Sequence, residues 1–119
     1  MENENSSGVI KTESGLEYRI IEKGKGTRNP EPDNNVTVHY IGKLENGLEF
    51  DSSYSRNKPA SFPIKGVIPG WTEALKLMRI GDIWEVTIPP ELGYGSQGAG
   101  NIIPPDATLI FKIELLEID

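Results

Sequence analysis

The side chains that could do chemistry in this sequence are few, and most are aromatic. His39 is the only histidine and there is no cysteine. His39 lies between Val38 and Tyr40, which reads as a half-exposed strand position rather than a general base. No Gly-x-Ser-x-Gly elbow accompanies it, so a Ser-His-Asp nucleophile has no support. Metal centres need several His, Cys or carboxylate ligands together, and no such cluster is present. Gly24 and Gly26 do not complete a dinucleotide fingerprint, and no phosphate-loop lysine follows any glycine run. Neither a metal nor a cofactor is therefore expected. What remains is Tyr40, Phe50, Phe62, Trp71, Tyr94 and Phe111. The plain reading of each is core packing. Tyr94 fits that reading least, because it stands between Gly93 and Gly95 in a loop. Asp51 also stands out, directly after the apolar Phe50. Most such aspartates cap a turn, but one at the rim of an aromatic pocket could orient tyrosine or arginine side chains.

The elements that must position these residues follow from periodicity. Leu16, Tyr18 and Ile20 alternate with polar neighbours, and Gly24-Lys25-Gly26 ends that strand. A second strand spans Val36 to Leu44, with Val36, Val38 and Tyr40 on one face. Asn46-Gly47 supplies a hairpin turn, and Leu48-Glu49-Phe50 starts the return. A short strand follows at Phe62 to Ile64. The one helix begins after Pro69-Gly70. Trp71, Ala74, Leu75 and Met78 make its apolar stripe, Glu73 is placed in its first turn, Arg79 near its last, and Gly81 is its stop. Trp84, Val86 and Ile88 form a further strand, stopped by Pro89-Pro90. Residues 91–106 read as a long glycine-rich loop, and the last strand runs from Thr108 to Ile118. The fold class is α+β: a curved antiparallel sheet of about five strands around one short helix.

Composition sets the frame. A chain of 119 residues suits one domain: a flexible tail over residues 1–12 and a folded unit over 13–119. The net charge of −6, with lysines and arginines scattered, argues against nucleic acid. No apolar run reaches membrane-spanning length, so no membrane partner is expected. Met1-Glu2-Asn3-Glu4-Asn5 is polar and acidic rather than a signal peptide, so a cytoplasmic location is expected. The Asn35-Val36-Thr37 sequon is accordingly read as coincidence.

Several blocks then occur in a telling order: Val38-His39-Tyr40, Gly47-Leu48-Glu49-Phe50-Asp51-Ser52-Ser53, Arg56-Asn57-Lys58-Pro59, Val67-Ile68-Pro69-Gly70-Trp71, Leu92-Gly93-Tyr94-Gly95, and Ile102-Ile103-Pro104-Pro105-Asp106-Ala107-Thr108-Leu109. From about Gly15 to Ile118 the sequence resembles the FKBP family of peptidyl-prolyl cis-trans isomerases. Lys58-Pro59-Ala60 and the run from Val67 to Leu75 resemble the bacterial macrophage-infectivity-potentiator branch. That branch's long N-terminal dimerisation helix is absent, so a monomer is expected.

The resemblance implies a proline pocket with Tyr40, Phe50, Asp51, Trp71, Tyr94 and Phe111 as catalytic residues. It implies Arg56, Phe62, Val67, Ile68 and Ile103 as substrate or ligand contacts, with Trp71 as the floor. Asp51 would orient the polar rim with Tyr40 and Arg56 as partners. The Tyr94 hydroxyl and the Ile68 N–H would hold substrate carbonyls. Ala60 and Ala99 depart from the best-known small members, and both are expected toward the rim, where they bear on substrate preference. The implied partners are X-Pro polypeptides and macrolides such as tacrolimus and rapamycin. The alternative is a binding module that docks proline-containing partners without turnover.

Overall fold

The computed structural model describes residues 3–4 and 8–119. Among these residues eight strands form one antiparallel sheet: β1 Asn3–Glu4, β2 Ile10–Lys11, β3 Glu17–Glu22, β4 Asn35–Leu44, β5 Glu49–Ser52, β6 Ala60–Pro63, β7 Ile83–Ile88 and β8 Leu109–Ile118. The helix α1, Pro69–Leu77, is the single α-helix of the described residues. The order β1-β2-β3-β7-β8-β4 runs across the sheet, and both β5 and β6 pair with the far edge of β4. The class read from the sequence is the class observed.

On β4, β7 and β8 the alternation that marked the strands is the alternation of burial, whereas on β3 Tyr18 is buried but Ile20 is exposed. On β8, Leu109, Phe111, Ile113 and Leu115 are buried, facing Trp84, Val86 and Ile88 of β7 and Val38, Tyr40, Gly42 and Leu44 of β4. A bulge between Thr37 and Val38 shifts the β4–β8 register; such an insertion bends the strand. The inner face meets the helix through Trp71, Ala74 and Leu75, which are buried. Packing is tight where the helix starts. A Cβ on Gly70 would lie 2.7 Å from Ile88 Cγ2, so only glycine lets the helix start press this closely on β7.

Several local expectations change. The helix takes Pro69 as its first residue and Ile68 as its N-cap, because proline needs no N–H partner there. Its first turn holds no acidic residue and its last turn holds Lys76. Glu73 instead accepts a hydrogen bond from Ser14 Oγ at 2.5 Å, and the Arg79 N–H donates to Asp82 Oδ2. The helix stops at Met78, whose N–H bonds back to Ala74 and Leu75. Gly81 lies beyond that stop, against Gly24. Ile64, read as a strand end, opens a 3-10 turn over Ile64–Gly66.

The segment read as tail is paired where it is described: Ile10 faces Tyr18 and Lys11 faces Glu17. Ile10 also packs against the core, so the sheet begins before the boundary placed at residue 12. Residues 1–2 and 5–7 of that segment lie outside the described residues. Among the described residues no helix is long and apolar enough to cross a membrane.

Candidate functional site

Four strands and the helix start bring aromatic rings to one point. Tyr40 comes from β4, Phe50 from β5, Phe62 from β6, Phe111 from β8 and Trp71 from α1. Trp71 is 4% exposed and meets three rings edge-on. Their centroids lie at 5.1 Å (Tyr40), 5.2 Å (Phe111) and 5.6 Å (Phe62). Phe50 meets Phe111 at 5.5 Å and 89°. Edge-to-face pairs of this kind are favoured by the ring quadrupoles, and here they leave a hollow instead of filling it. The resulting cleft, about 420 Å³, is lined by Tyr40, Phe50, Asp51, Phe62, Gly66, Val67, Ile68, Trp71, Tyr94 and Phe111. Its volume falls in the range of small-ligand sites.

A larger hollow of about 670 Å³ lies along the outer side of α1, lined by Thr12, Glu13, Lys65, Val67, Pro69, Thr72, Glu73, Lys76 and Leu77. It has no aromatic lining and its charged groups are of both signs. The smaller, aromatic cleft is the better candidate, because apolar walls with a few convergent polar groups define a ligand site.

One rim of the cleft is a closed polar triangle. The Tyr40 hydroxyl donates to Asp51 Oδ2 at 2.6 Å. Arg56 donates to Asp51 Oδ1 at 2.6 Å and to the Tyr40 oxygen at 2.9 Å. The Ser52 N–H adds a further bond to Asp51 Oδ1. Burial pushes the Tyr40 phenol above its ordinary value, with the Asp51 carboxylate adding to the rise. Burial would also raise Asp51, but the bonds from Tyr40 and Arg56 outweigh it and hold the carboxyl below its usual range. The hydrogen bond to Asp51 raises Arg56. The triangle is satisfied internally, so the Tyr40 proton is committed to Asp51.

The opposite wall is the stretch Gly66–Ile68. It is pinned by the Ile64 N–H on the Asn34 carbonyl and by Thr72 Oγ1 donating to the Ile64 carbonyl at 2.8 Å. The Ile68 carbonyl accepts from Trp71 and Thr72. Among the described residues its own N–H has no hydrogen-bond partner, as expected of an amide at a helix start. The Tyr94 hydroxyl is likewise unbonded, and the residue is 40% exposed. With the buried Trp71 Nε1–H, which also lacks a partner among the described residues, three unused polar groups accompany an apolar cleft.

Nine of the eleven residues singled out in the sequence line this cleft. Arg56 does not; its side chain is half-exposed and reaches the rim through Asp51 and Tyr40. Ile103 is 5% exposed and belongs to the core, pairing with Ala99 behind the loop. Ala60 and Ala99 are also packed against the core and do not line the rim. Gly66 was missed, since a backbone wall leaves no mark in side-chain chemistry. Gly42 was missed too: a Cβ there would lie 2.7 Å from Phe111 and 2.8 Å from Phe50, so the hollow depends on its absence. A glycine inside an alternating strand is the signal that points to such a close approach.

Residues 26–116 match the profile of the FKBP-type peptidyl-prolyl cis-trans isomerase family. The chain is 56% identical over 117 residues to the FKBP-type 22 kDa peptidyl-prolyl cis-trans isomerase of Escherichia coli K12, covering 98% of this chain and 56% of that protein. It is 48% identical to the peptidyl-prolyl cis-trans isomerase Mip of Coxiella burnetii, covering 98% of this chain and 50% of that protein. The crystal structure of FkpA from Escherichia coli superposes with a TM-score of 0.91 at 46% identity, over 97% of this chain and 53% of that one. The chain spans about half the length of the curated relatives it matches.

Proposed function

The chain belongs to the FKBP-type peptidyl-prolyl cis-trans isomerase family, and from that premise we propose that it rotates X-Pro peptide bonds in polypeptides. The observation that carries the reading is the aromatic-walled cleft with unspent polar groups beside it, the Ile68 N–H and the Tyr94 hydroxyl among them.

Amide rotation breaks no σ bond, so neither nucleophile nor proton transfer is required. The barrier is lost resonance, about 18–20 kcal/mol for a peptide bond. Uncatalysed X-Pro exchange takes roughly tens to hundreds of seconds. Resonance places negative charge on the amide oxygen, and water stabilises that planar, polar form more than the twisted one. Walls of Trp71, Phe111, Phe62 and Phe50 exclude water around the prolyl ring, which removes that ground-state advantage. The Ile68 N–H and the Tyr94 hydroxyl hold flanking carbonyls, so that the chain is gripped while one bond turns. The Tyr40–Asp51–Arg56 triangle keeps the rim rigid and its charges fixed. Four decades of rate require about 5.5 kcal/mol of differential stabilisation.

The same cleft is proposed to bind macrolides such as tacrolimus and rapamycin, and the activity to assist folding steps limited by proline. Action as a monomer is proposed as well, on the ground that the rim bonds among Tyr40, Asp51 and Arg56 close within a single copy of the chain. A protease-coupled assay on an Ala-Leu-Pro-Phe peptide tests the reaction. A rate above background that macrolide titration abolishes is expected. A background rate with ligand still quenching Trp71 would instead mark a proline-binding module without turnover; Trp84, stacked on Tyr18 at 4.0 Å, serves as the background emitter.

A further inference from the structure

β5 ends at Ser52, yet the next residue still completes the sheet. Tyr40 turns both its N–H and its carbonyl toward Ser53. The Ser53 N–H donates to the Tyr40 carbonyl at 3.0 Å, the first half of an ordinary antiparallel pair. The second half should run from the Tyr40 N–H to the Ser53 carbonyl. That carbonyl instead accepts from the Lys58 N–H at 3.2 Å, closing the loop that carries Arg56. The Tyr40 N–H is met by the Ser53 side chain, at 2.7 Å from Oγ.

The hydroxyl is fully buried and has a further partner. His39 Nδ1 lies 2.8 Å from Oγ, and the Tyr40 carbonyl lies at 3.3 Å. With one lone pair taken by the Tyr40 N–H, the hydroxyl proton goes to His39 Nδ1 in the tautomer that leaves this nitrogen unprotonated, and to the Tyr40 carbonyl in the other. His39 is itself held by the Tyr54 ring, stacked at 4.5 Å and 13°, and the Tyr54 hydroxyl reaches Glu114 at 3.4 Å.

We propose that Ser53, backed by His39, is a positioning residue for the isomerase cleft: its hydroxyl stands in for a strand carbonyl. It thereby fixes Tyr40 while freeing the chain to leave the sheet and deliver Arg56 to Tyr40 and Asp51. The proposal rests on the isomerase reading for its kinetic consequence only. An alanine at this position leaves a buried N–H unpaired on the strand residue whose side chain forms the rim, so the strand must shift or admit water.

The test compares Ser53→Ala, Ser53→Thr and His39→Phe in the full chain, at a temperature where circular dichroism shows each folded. Peptide kinetics are read beside the phenol carbon signals of ¹³C-labelled tyrosine across a pH titration. Ser53→Ala should lower kcat/KM about tenfold, equivalent to about 1.4 kcal/mol. The Tyr40 phenol should titrate closer to an ordinary tyrosine, while Tyr18 and Tyr94 do not move. Ser53→Thr keeps the hydroxyl and should restore both readouts. His39→Phe should cost less than Ser53→Ala, because the hydroxyl can still turn to the Tyr40 carbonyl. Should Ser53→Ala not fold, Ser53→Cys, with a weak acceptor of similar shape, takes its place. An unchanged Tyr40 signal and rate in the folded alanine or cysteine variant overturns the proposal. So does a shift shared equally by Tyr18, which would mean general loosening. If the wild-type chain shows no rotation above background, the isomerase reading fails, and the Tyr40 signal alone still decides the role of Ser53.

Discussion

Gly42→Ala is a one-carbon change at a residue with no side chain in the cleft, and the structure gives it a definite cost. The backbone at Gly42 is not in the left-handed region, so alanine brings no conformational strain. The added Cβ would lie 2.7 Å from Phe111 Cε1, 2.8 Å from Phe50 Cζ and 2.9 Å from Phe50 Cε1. Carbon pairs rest at about 3.5–4.0 Å, so the two rings must recede by about 0.7–1 Å. Phe111 is 4% exposed and is held by Trp71 and Tyr40. Phe50 is only half-buried, so it moves. Its edge contact with Phe111, of a class worth about 0.5–1.5 kcal/mol, is weakened.

Overpacking of this kind costs about 1–3 kcal/mol. Replacing glycine returns about 0.4–1 kcal/mol by restricting the unfolded chain. The net loss is about 1.5 kcal/mol, a fall in Tm of about 5–9 °C for a domain of this size. A cleft wall displaced by nearly an ångström should cost about tenfold in kcat/KM, since misplacements of about 1 Å can cost up to about a hundredfold. Thermal denaturation and the protease-coupled peptide assay read the two effects. A variant with unchanged or raised Tm and kcat/KM within about twofold of wild type would refute the claim that the hollow depends on this missing carbon. A crystal structure of the variant with both rings unmoved would do the same.

Three further outcomes follow from the same geometry. Ile68 has φ −60° and Val67 is extended, so Ile68→Pro fits the backbone and deletes the unbonded N–H. We expect kcat/KM to fall about tenfold, the scale of one lost hydrogen bond, with Tm within a few degrees; an undiminished rate removes this amide from the mechanism. Arg56→Lys replaces a fork that bridges Asp51 and Tyr40 by a point donor. It should reduce kcat/KM about two- to fivefold and move the Tyr40 phenol signal, and a silent variant would show the bridge to be dispensable. The pH profile follows from signs. Asp51 is lowered below its ordinary 3.8, so its contribution to stability is present above that pH and lost as pH falls through the folded value. Tyr40 is raised above 10.0, so its contribution is complete below pH 10.0 and lost as pH climbs through the folded value. Between about pH 6 and 9 both groups keep one charge state, and kcat/KM should be flat; a bell with two essential ionisations would contradict rotation without proton transfer.

The local signals were strong in this chain. Alternation in Val36–Tyr40, Trp84–Ile88 and Leu109–Leu115 marked strands because side chains two apart share a sheet face. The stripe of Trp71, Ala74 and Leu75 marked the helix for the corresponding reason at period 3.6. Ends were less legible. Gly81 looked like a helix stop, but Met78 ends the helix by bonding back to Ala74 and Leu75. Ile10 looked like tail and became strand because Tyr18 lies across from it, a pairing that short polar flanks do not announce.

By itself the sequence determined the fold class, the aromatic inventory and, through ordered family blocks, nine of the residues that line the cleft. Distances between those residues are properties of the folded sheet. The T-shaped contacts on Trp71, the closed bonds among Tyr40, Asp51 and Arg56, and the burial of Ile103 behind the loop depend on how strands far apart in the chain converge. So does the use of the Ser53 hydroxyl as a strand carbonyl. Periodicity is fixed by bonds between neighbours in the chain, whereas whether a ring fills a space or borders it depends on packing across β4, β5, β8 and α1, where a single Cβ at Gly42 would change the answer.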